Sequence, residues 1–172
     1  MPCDTPELQR SRLRTQRLFN RSVPAFWLLD LGLLPRYRQV LEQLDLPAEL
    51  TVLDVGTGSG CMALAFAELG HAVTGVDFAE RLLRRARRRV PAATFLHLDL
   101  ADLPRIESGS HDVLALAHVL HGLDPELRRF TLAEARRIAR RWVVVVDYAA
   151  RGPWYVRLIE SVSYTHLRAH ET

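Results

Sequence analysis

The sequence contains no lysine: all 23 basic residues are arginine, and with 20 acidic residues the net charge is +3. A nucleic-acid surface gathers its cations into one stripe with interleaved aromatic side chains, whereas these arginines are spread over several predicted helices. GC-rich coding DNA explains the arginine without any such surface. We therefore do not expect a nucleic acid as partner.

Cysteine is scarce, since Cys3 and Cys61 are too few for a disulfide framework. There is no signal peptide and no run of 18 apolar residues, which predicts a cytoplasmic protein without a membrane span. No Cys-x-x-Cys or His-Glu-x-x-His pattern occurs, so no metal site is predicted. With 48% hydrophobic residues, a chain of 172 residues can bury one core, and one domain is expected.

Three glycines follow a short apolar strand in residues 52–60: Gly56, Gly58 and Gly60. Without a Cβ they allow a ligand to approach the backbone, and the helix predicted from residue 61 presents free N–H groups to it. The spacing G-x-G-x-G differs from the G-x-G-x-x-G of dinucleotide sites, because Cys61 stands at the third position of that pattern. A nucleotide-like ligand other than a dinucleotide is indicated, and a plain strand-to-helix turn is the alternative.

Asp54 completes a D-x-G-x-G-x-G pattern, which resembles the first motif of the class I S-adenosylmethionine-dependent methyltransferases. The resemblance implies S-adenosylmethionine as cofactor, with Asp54 and the three glycines at its methionine part. Further motifs follow in the order that this family keeps, and together they cover residues 36–148.

Asp77 ends a second apolar strand 21 positions after Gly56, close to the ~20 expected for a carboxylate that accepts the ribose hydroxyls. The alternative role for Asp77 is that of an ordinary helix cap, and both roles can coexist because a carboxylate has two oxygens. The resemblance implies that Phe78 lies against the adenine.

Two further segments carry the resemblance. Asp99 and Leu100 stand at the adenine-contacting positions of the third-strand motif, although His97 and Leu98 replace the usual residues before the acid. Residues 111–121 resemble the fourth strand and place Ala117 beside the methionine part of the cofactor.

His118 and His121 are the candidates for removing a proton from the methyl acceptor, because a helical turn after the fourth strand would put both on one side. The alternative is that His121 bonds a loop and His118 packs beside the cofactor. Tyr148, after the fifth strand, could orient the acceptor.

From residue 51 strand and helix patterns alternate, which predicts an α/β fold with helices on both faces of a parallel sheet. The resemblance implies a doubly wound, Rossmann-like sheet with five strands in the order 3-2-1-4-5. Ligands of such sheets bind at the carboxyl ends of the strands, where all these candidate residues lie.

Local patterns predict several helices and the last strand. In residues 79–90 the arginines leave an apolar stripe of Leu82, Leu83, Ala86 and Val90. Residues 124–126 begin a helix that reaches to about residue 140 and buries Leu127, Phe130, Leu132 and Ile138. Residues 142–148 read as a central strand with two apolar faces.

Residues 1–47 are predicted to form a helical cap and residues 48–160 the cofactor-binding core. The apolar segment 24–34 is punctuated by Gly32 and Pro35, and a second helix is predicted over residues 36–44. Phe26 and Trp27 are expected either to cover the acceptor or to pack on the sheet edge.

Residues 161–172 are expected to be a non-native tail. From Val162 onward they match, letter for letter, the translation of a transposase sequencing adapter, so no function is assigned to them. Because the family's sheet has seven strands, a terminal antiparallel hairpin is expected to be missing.

The predicted function is S-adenosylmethionine-dependent methyl transfer to a small-molecule acceptor. A non-catalytic cofactor-binding partner subunit and an NAD-dependent oxidoreductase on a similar sheet are the alternatives.

Overall fold

The computed structural model describes residues 23–147, with side chains from residue 31 onward. The helices and strands, numbered in chain order, are α1 (Val23–Leu44), β1 (Thr51–Val55), α2 (Cys61–Glu68), β2 (Ala72–Asp77), α3 (Glu80–Arg89), β3 (Thr94–His97), β4 (His111–Ala117), α4 (Pro125–Ile138) and β5 (Ala139–Val146). Two short 3₁₀ helices, Leu100–Arg105 and Leu120–Gly122, flank β4.

The five strands form one parallel sheet in the order β3-β2-β1-β4-β5. This confirms the predicted fold class and strand order. The chain runs outward from β1 to β3 and then returns to the other side of β1 to form β4. The order therefore reverses between β1 and β4, which is where open parallel sheets bind ligands.

The sheet is buried on both faces, as successive side chains of its central strands alternate between two cores. Val52 and Val113 belong to the first core, which contains Phe66 and Met62 of α2. The second core lies on the opposite face and contains Leu53, Val55, Leu114, Leu116 and Ile138. This double burial explains why the central strands read as continuous apolar runs.

Helix α1 is continuous, so the predicted break at Gly32 and Pro35 is wrong. An internal proline removes one helical hydrogen bond and costs about 3 kcal/mol. Tyr37 and Leu41 are buried against the first core, and each large apolar side chain so buried contributes about 1.5–3 kcal/mol. Packing against the core therefore offsets the proline, and the helix passes through it.

Helix α3 buries Leu82, Leu83, Ala86 and the following Val90, as predicted. Helix α4 begins as predicted, because Asp124 Oδ1 accepts hydrogen bonds from the amides of Glu126 (3.0 Å) and Leu127 (2.9 Å).

The predicted burial of Leu132 is wrong, since this side chain is 39% exposed. Thr131 holds the buried position instead, and its hydroxyl donates to the carbonyl of Leu127 at 2.7 Å. The helix ends at Ile138 rather than near residue 140, because Ala139 already pairs with His111 in the sheet.

Strand β5 does not have the two buried faces of a central strand. Val144 is buried, but Val143 and Val145 are 39% and 45% exposed. Within the part of the chain that the structure describes, β5 is the outer neighbour of β4 and one face of it meets solvent. The strand is therefore apolar on both faces, as predicted, but only one of these faces is buried by the described residues.

None of the helices within residues 23–147 combines the length and the apolar character needed to cross a lipid bilayer.

Candidate functional site

The strand register brings the candidate residues to one edge of the sheet. Val55 pairs with Val76 on one side and with Leu116 on the other, so the glycine loop and the end of β2 are neighbours. Ala117 pairs with Val146, which brings the residues after β4 and β5 together. The carboxyl ends of β1, β2, β4 and β5 thus line one crevice.

The glycine loop is held by β2 and shaped by its neighbours. The amides of Gly56 and Thr57 both donate to the carbonyl of Val76, at 2.8 and 3.0 Å. Gly56 has φ +72°, and a Cβ there would lie 2.5 Å from Val119 Cγ2. Gly60 has φ +78°, and a Cβ there would lie 2.9 Å from Ala86 Cβ. Both positions require glycine for packing inside the protein.

Gly58 differs from the other two loop glycines. It has φ +53°, and the atom nearest to a Cβ added there would be the Gly56 carbonyl oxygen, at 4.0 Å. The space above Gly58 is therefore open, and a ligand can approach the backbone there more closely than any side chain would permit.

Asp77 joins the glycine loop to helix α3. Its Oδ2 accepts from the amide of Gly58 and its Oδ1 from the amide of Ala79, both at 2.8 Å. The residue is 7% exposed, and burial raises the pKa of its carboxyl group. Each oxygen has a second lone pair, so the carboxylate can hold the loop and accept further hydroxyl donors. The capping role and the ligand role proposed from the sequence are compatible.

Asp54 lies beneath the loop and is fully buried. Its Oδ2 accepts from Thr57 Oγ1 at 2.6 Å. Burial raises the pKa of Asp54 to about 7, and the nearby charge of Asp77 adds to the rise. Asp54 therefore shapes the loop through Thr57, and in this conformation it offers no surface to a ligand.

The adenine-side candidates follow β2 and β3, whose last residues Asp77 and His97 are paired. His97 Nε2 lies 2.7 Å from the carbonyl oxygen of Phe78 and so holds the segment after β2. Sequence reasoning gave His97 no role, because nothing local indicates a partner 19 residues away.

Asp99 caps the first 3₁₀ helix and accepts from the amide of Ala101 at 3.1 Å. Asp102 Oδ2 accepts from the amide of Asp99 at 3.2 Å, which completes a capping box. Leu100 is half-buried at the start of the same helix. This cap fixes where Asp99 and Leu100 stand beside the end of β3.

His118, His121 and Asp147 lie together at the ends of β4 and β5, and we call them the histidine cluster. His121 Nδ1 is 2.7 Å from Asp147 Oδ1, and the His121 amide donates to Asp147 Oδ2 at 3.1 Å. His118 Nδ1 is 3.9 Å from Asp147 Oδ1. The sequence did not indicate Asp147 as the partner of His121, since 26 residues separate them. Tyr148 lies outside the described residues.

The backbone holds His118 in a sparsely populated conformation. Its φ is +55°, which is uncommon for a residue with a Cβ, and its amide donates to the carbonyl of Val146 at 2.8 Å. Its ring lies beside that of Tyr37, with centroids 5.9 Å apart. Burial lowers the pKa of His118, and the charge of Asp147 opposes this shift. Strained backbone of this kind concentrates at functional sites.

The crevice and the glycine loop are typical of one class of protein, the Rossmann-like cofactor-binding domains. These domains bind their ligand where the strand order of the sheet reverses. Residues 52–141 match the model of a methyltransferase domain family. The chain therefore belongs to this methyltransferase family. The resemblance to class I S-adenosylmethionine-dependent methyltransferases, and S-adenosylmethionine as the family's cofactor, are confirmed.

Two relatives illustrate the match. An uncharacterised methyltransferase from Synechocystis sp. is 30% identical over 113 residues, which are 65% of this chain and 53% of that protein. A ubiquinone biosynthesis O-methyltransferase from Albidiferax ferrireducens is 36% identical over 80 residues, 43% of this chain and 32% of that protein. The chain thus spans about half or less of these relatives.

Among solved structures, the fold resembles 1,6-didemethyltoxoflavin-N1-methyltransferase from Burkholderia thailandensis, with a TM-score of 0.66 and 22% identity. The likeness covers 89% of this chain and 68% of that one. At this identity it supports the fold alone.

Proposed function

We propose that this chain carries out S-adenosylmethionine-dependent methyl transfer to an oxygen atom of a small molecule. The observation that carries the proposal is the open space above Gly58. This space lies directly beside the Asp77 carboxylate, where the strand order of the sheet reverses. The other two loop glycines, Gly56 and Gly60, are covered by Val119 and Ala86.

The described residues fit the cofactor. We propose that Gly56, Gly58 and Gly60 lie under its methionine part and that Asp77 accepts the ribose hydroxyls. Phe78, Asp99 and Leu100 then form the adenine side, and Ala117 lies beside the methionine part. Asp54 supports the loop from below through Thr57. When bound, S-adenosylmethionine supplies a methyl group already activated by a positively charged sulfur, so the protein mainly orients the acceptor.

The acceptor end of the crevice is assigned to His118 and His121. These residues flank Val119, whose methyl group covers Gly56, so the histidine cluster adjoins the methionine end of the proposed cofactor site. An oxygen acceptor is supported by the relatives: two of them are ubiquinone biosynthesis O-methyltransferases, 36% and 34% identical over the matched segments. Tyr148 remains a candidate for orienting the acceptor.

Two expectations about the rest of the protein also stay proposals. The segment 1–47 is proposed to cover the acceptor, although Phe26 and Trp27 are not among the described side chains. A cytoplasmic location, the absence of a nucleic-acid partner and the tail at residues 161–172 remain predictions from the sequence.

Calorimetry with S-adenosylhomocysteine and with NAD tests the cofactor. We expect S-adenosylhomocysteine to bind, and Asp77→Ala to weaken it by about 1–3 kcal/mol through loss of a charged hydrogen-bond partner. Asp77→Asn keeps one acceptor oxygen, so it can retain one of the two amide contacts and should weaken binding less than Asp77→Ala. Asp112→Asn is the matched control, because it changes a carboxylate at the opposite, amino end of β4 and should leave affinity unchanged.

Binding of NAD alone would overturn the proposal in favour of an oxidoreductase. A tritiated-methyl transfer screen against metabolite extracts then separates an enzyme from a non-catalytic subunit. A protein that binds S-adenosylhomocysteine but labels no metabolite would be the partner subunit.

A further inference from the structure

The histidine cluster combines two imidazoles and one carboxylate on neighbouring strand ends. The pairing of Ala117 with Val146 makes His118 and Asp147 neighbours, and the 3₁₀ helix Leu120–Gly122 turns His121 back toward the same carboxylate. Each side chain offers one ligand atom, and these atoms all lie within 4.8 Å of one another. Two nitrogen donors and one oxygen donor meet at one point of the crevice.

Two of the three separations between the ligand atoms are close to what a bound ion requires. Ligand atoms at 2.0–2.2 Å from a tetrahedral ion are about 3.4 Å apart. The distances from Asp147 Oδ1 to the Nδ1 atoms of His121 and His118 are 2.7 and 3.9 Å, one below and one above that value. Changes of less than about 1 Å would bring both to it.

The cluster is held by the backbone rather than by flexible side chains alone. The amide of His118 donates to Val146 O, and the amide of His121 donates to Asp147 Oδ2. Asp147 directly follows Val146, the last paired residue of β5. Such support keeps ligands near their binding geometry before an ion arrives.

We propose that His118, His121 and Asp147 bind one divalent transition-metal ion. The donor set selects the metal class: imidazole suits zinc, iron and related ions, whereas magnesium and calcium prefer oxygen alone. Three protein ligands leave a coordination position open, as in catalytic zinc sites. The histidines are then ligands rather than proton acceptors.

The open position is matched to a hydroxyl acceptor, and this part of the inference rests on the proposed function. The acceptor oxygen binds the ion, which lowers the pKa of its hydroxyl group, and the proton leaves to water. The oxygen then forms a bond to the methyl carbon while the carbon–sulfur bond breaks with its electron pair on sulfur. The products are the methyl ether and S-adenosylhomocysteine.

The test is a calorimetric titration of the purified, chelator-treated full chain with Zn²⁺, Co²⁺, Mn²⁺ and Mg²⁺. We expect one equivalent of Zn²⁺ to bind, with affinity falling in the order Zn²⁺, Co²⁺, Mn²⁺, Mg²⁺. His121→Ala and Asp147→Asn should each weaken Zn²⁺ binding by at least about tenfold. His111→Ala is the matched control, because His111 lies at the opposite end of β4, and it should leave Zn²⁺ affinity unchanged.

His166 and His170 could bind added metal by themselves, so all titrations are repeated with both changed to alanine. Broadening of the His118 and His121 ring signals by Co²⁺ in nuclear magnetic resonance spectra locates the ion without any variant of the cluster. Unbroadened rings, or Zn²⁺ affinity equal in the Asp147→Asn and parent proteins, would refute the metal site.

Binding of S-adenosylhomocysteine is measured on the same samples with and without Zn²⁺. If the cofactor binds and no metal does, the metal inference fails and the proposed function stands. If metal binds at the cluster and no cofactor does, the proposed function fails and the metal site stands.

Discussion

The pKa values of three aspartates at the two edges of the sheet are shifted in opposite directions. At the amino edge, Asp112 accepts from the amide and hydroxyl of Thr51 at 3.0 and 2.7 Å and from Arg140 at 2.7 Å. These hydrogen bonds, those of Thr51 first, lower the pKa of Asp112 to about 2. At the carboxyl edge, burial raises the pKa of Asp54 to about 7 and raises that of Asp77.

The difference separates Asp112, whose charged form is stabilised by hydrogen bonds, from Asp54 and Asp77, which are buried beneath and beside the glycine loop. An acid with a lowered pKa contributes stability in its charged form, whereas an acid with a raised pKa is destabilising once it is charged. Shifts of the second kind cluster at functional sites. The contrast thus agrees with the cofactor site that we propose at the carboxyl edge.

Gly56→Ala should have the largest effect on stability. The left-handed backbone costs a non-glycine residue roughly 1–2 kcal/mol, and crowding of Val119 adds about 1–3 kcal/mol. Gly109→Ala at the amino edge is the matched control: its φ is +61°, with nothing within 4 Å of an added Cβ. Urea unfolding measures both free energies of unfolding. Equal losses in the free energy of unfolding would mean that Val119 moves aside without destabilising the protein.

Asp112→Asn should lower the free energy of unfolding by about 1–2 kcal/mol at pH 7, because charge-assisted hydrogen bonds are lost. The carboxylate's contribution is complete above its unfolded pKa of 3.8 and is lost as pH falls toward about 2. The difference between parent and variant should shrink over that window in urea unfolding. S-adenosylhomocysteine affinity should not change, and a loss of affinity would show that the two edges are coupled.

Asp54→Asn should have the smallest effect at pH 5, within about 1 kcal/mol, since an amide oxygen can still accept from Thr57. The raised pKa of Asp54 stabilises the folded state below pH 3.8, and this contribution is lost as pH rises through about 7. The variant should therefore gain stability relative to the parent between pH 5 and pH 8. Thermal unfolding by circular dichroism measures this, and parallel pH profiles would contradict it.

Sequence reasoning succeeded where the signal is local. The strands around Gly56 and Asp77 are continuous apolar runs, and the Asp124 cap is complete within three residues. The carboxyl-edge position of the candidates followed from parallel topology alone.

The partners across the sheet could not be predicted from the sequence. Asp112 meets Thr51 across 61 residues, and His121 meets Asp147 across 26. Such contacts depend on strand register, which no local pattern contains. The predicted helix break at Pro35 was wrong for a related reason. The residues against which α1 packs, and which stabilise it on both sides of Pro35, lie far along the chain.

The two hydrogen bonds of Asp77 have a kinetic consequence. They connect the glycine loop to the start of α3 in the ligand-free protein. Because the loop is already ordered, binding does not include the conformational entropy cost of ordering it. Association with the cofactor should then be limited by encounter rather than by folding of the loop. In Asp77→Ala the loop must order during binding, and the association rate should fall along with the affinity.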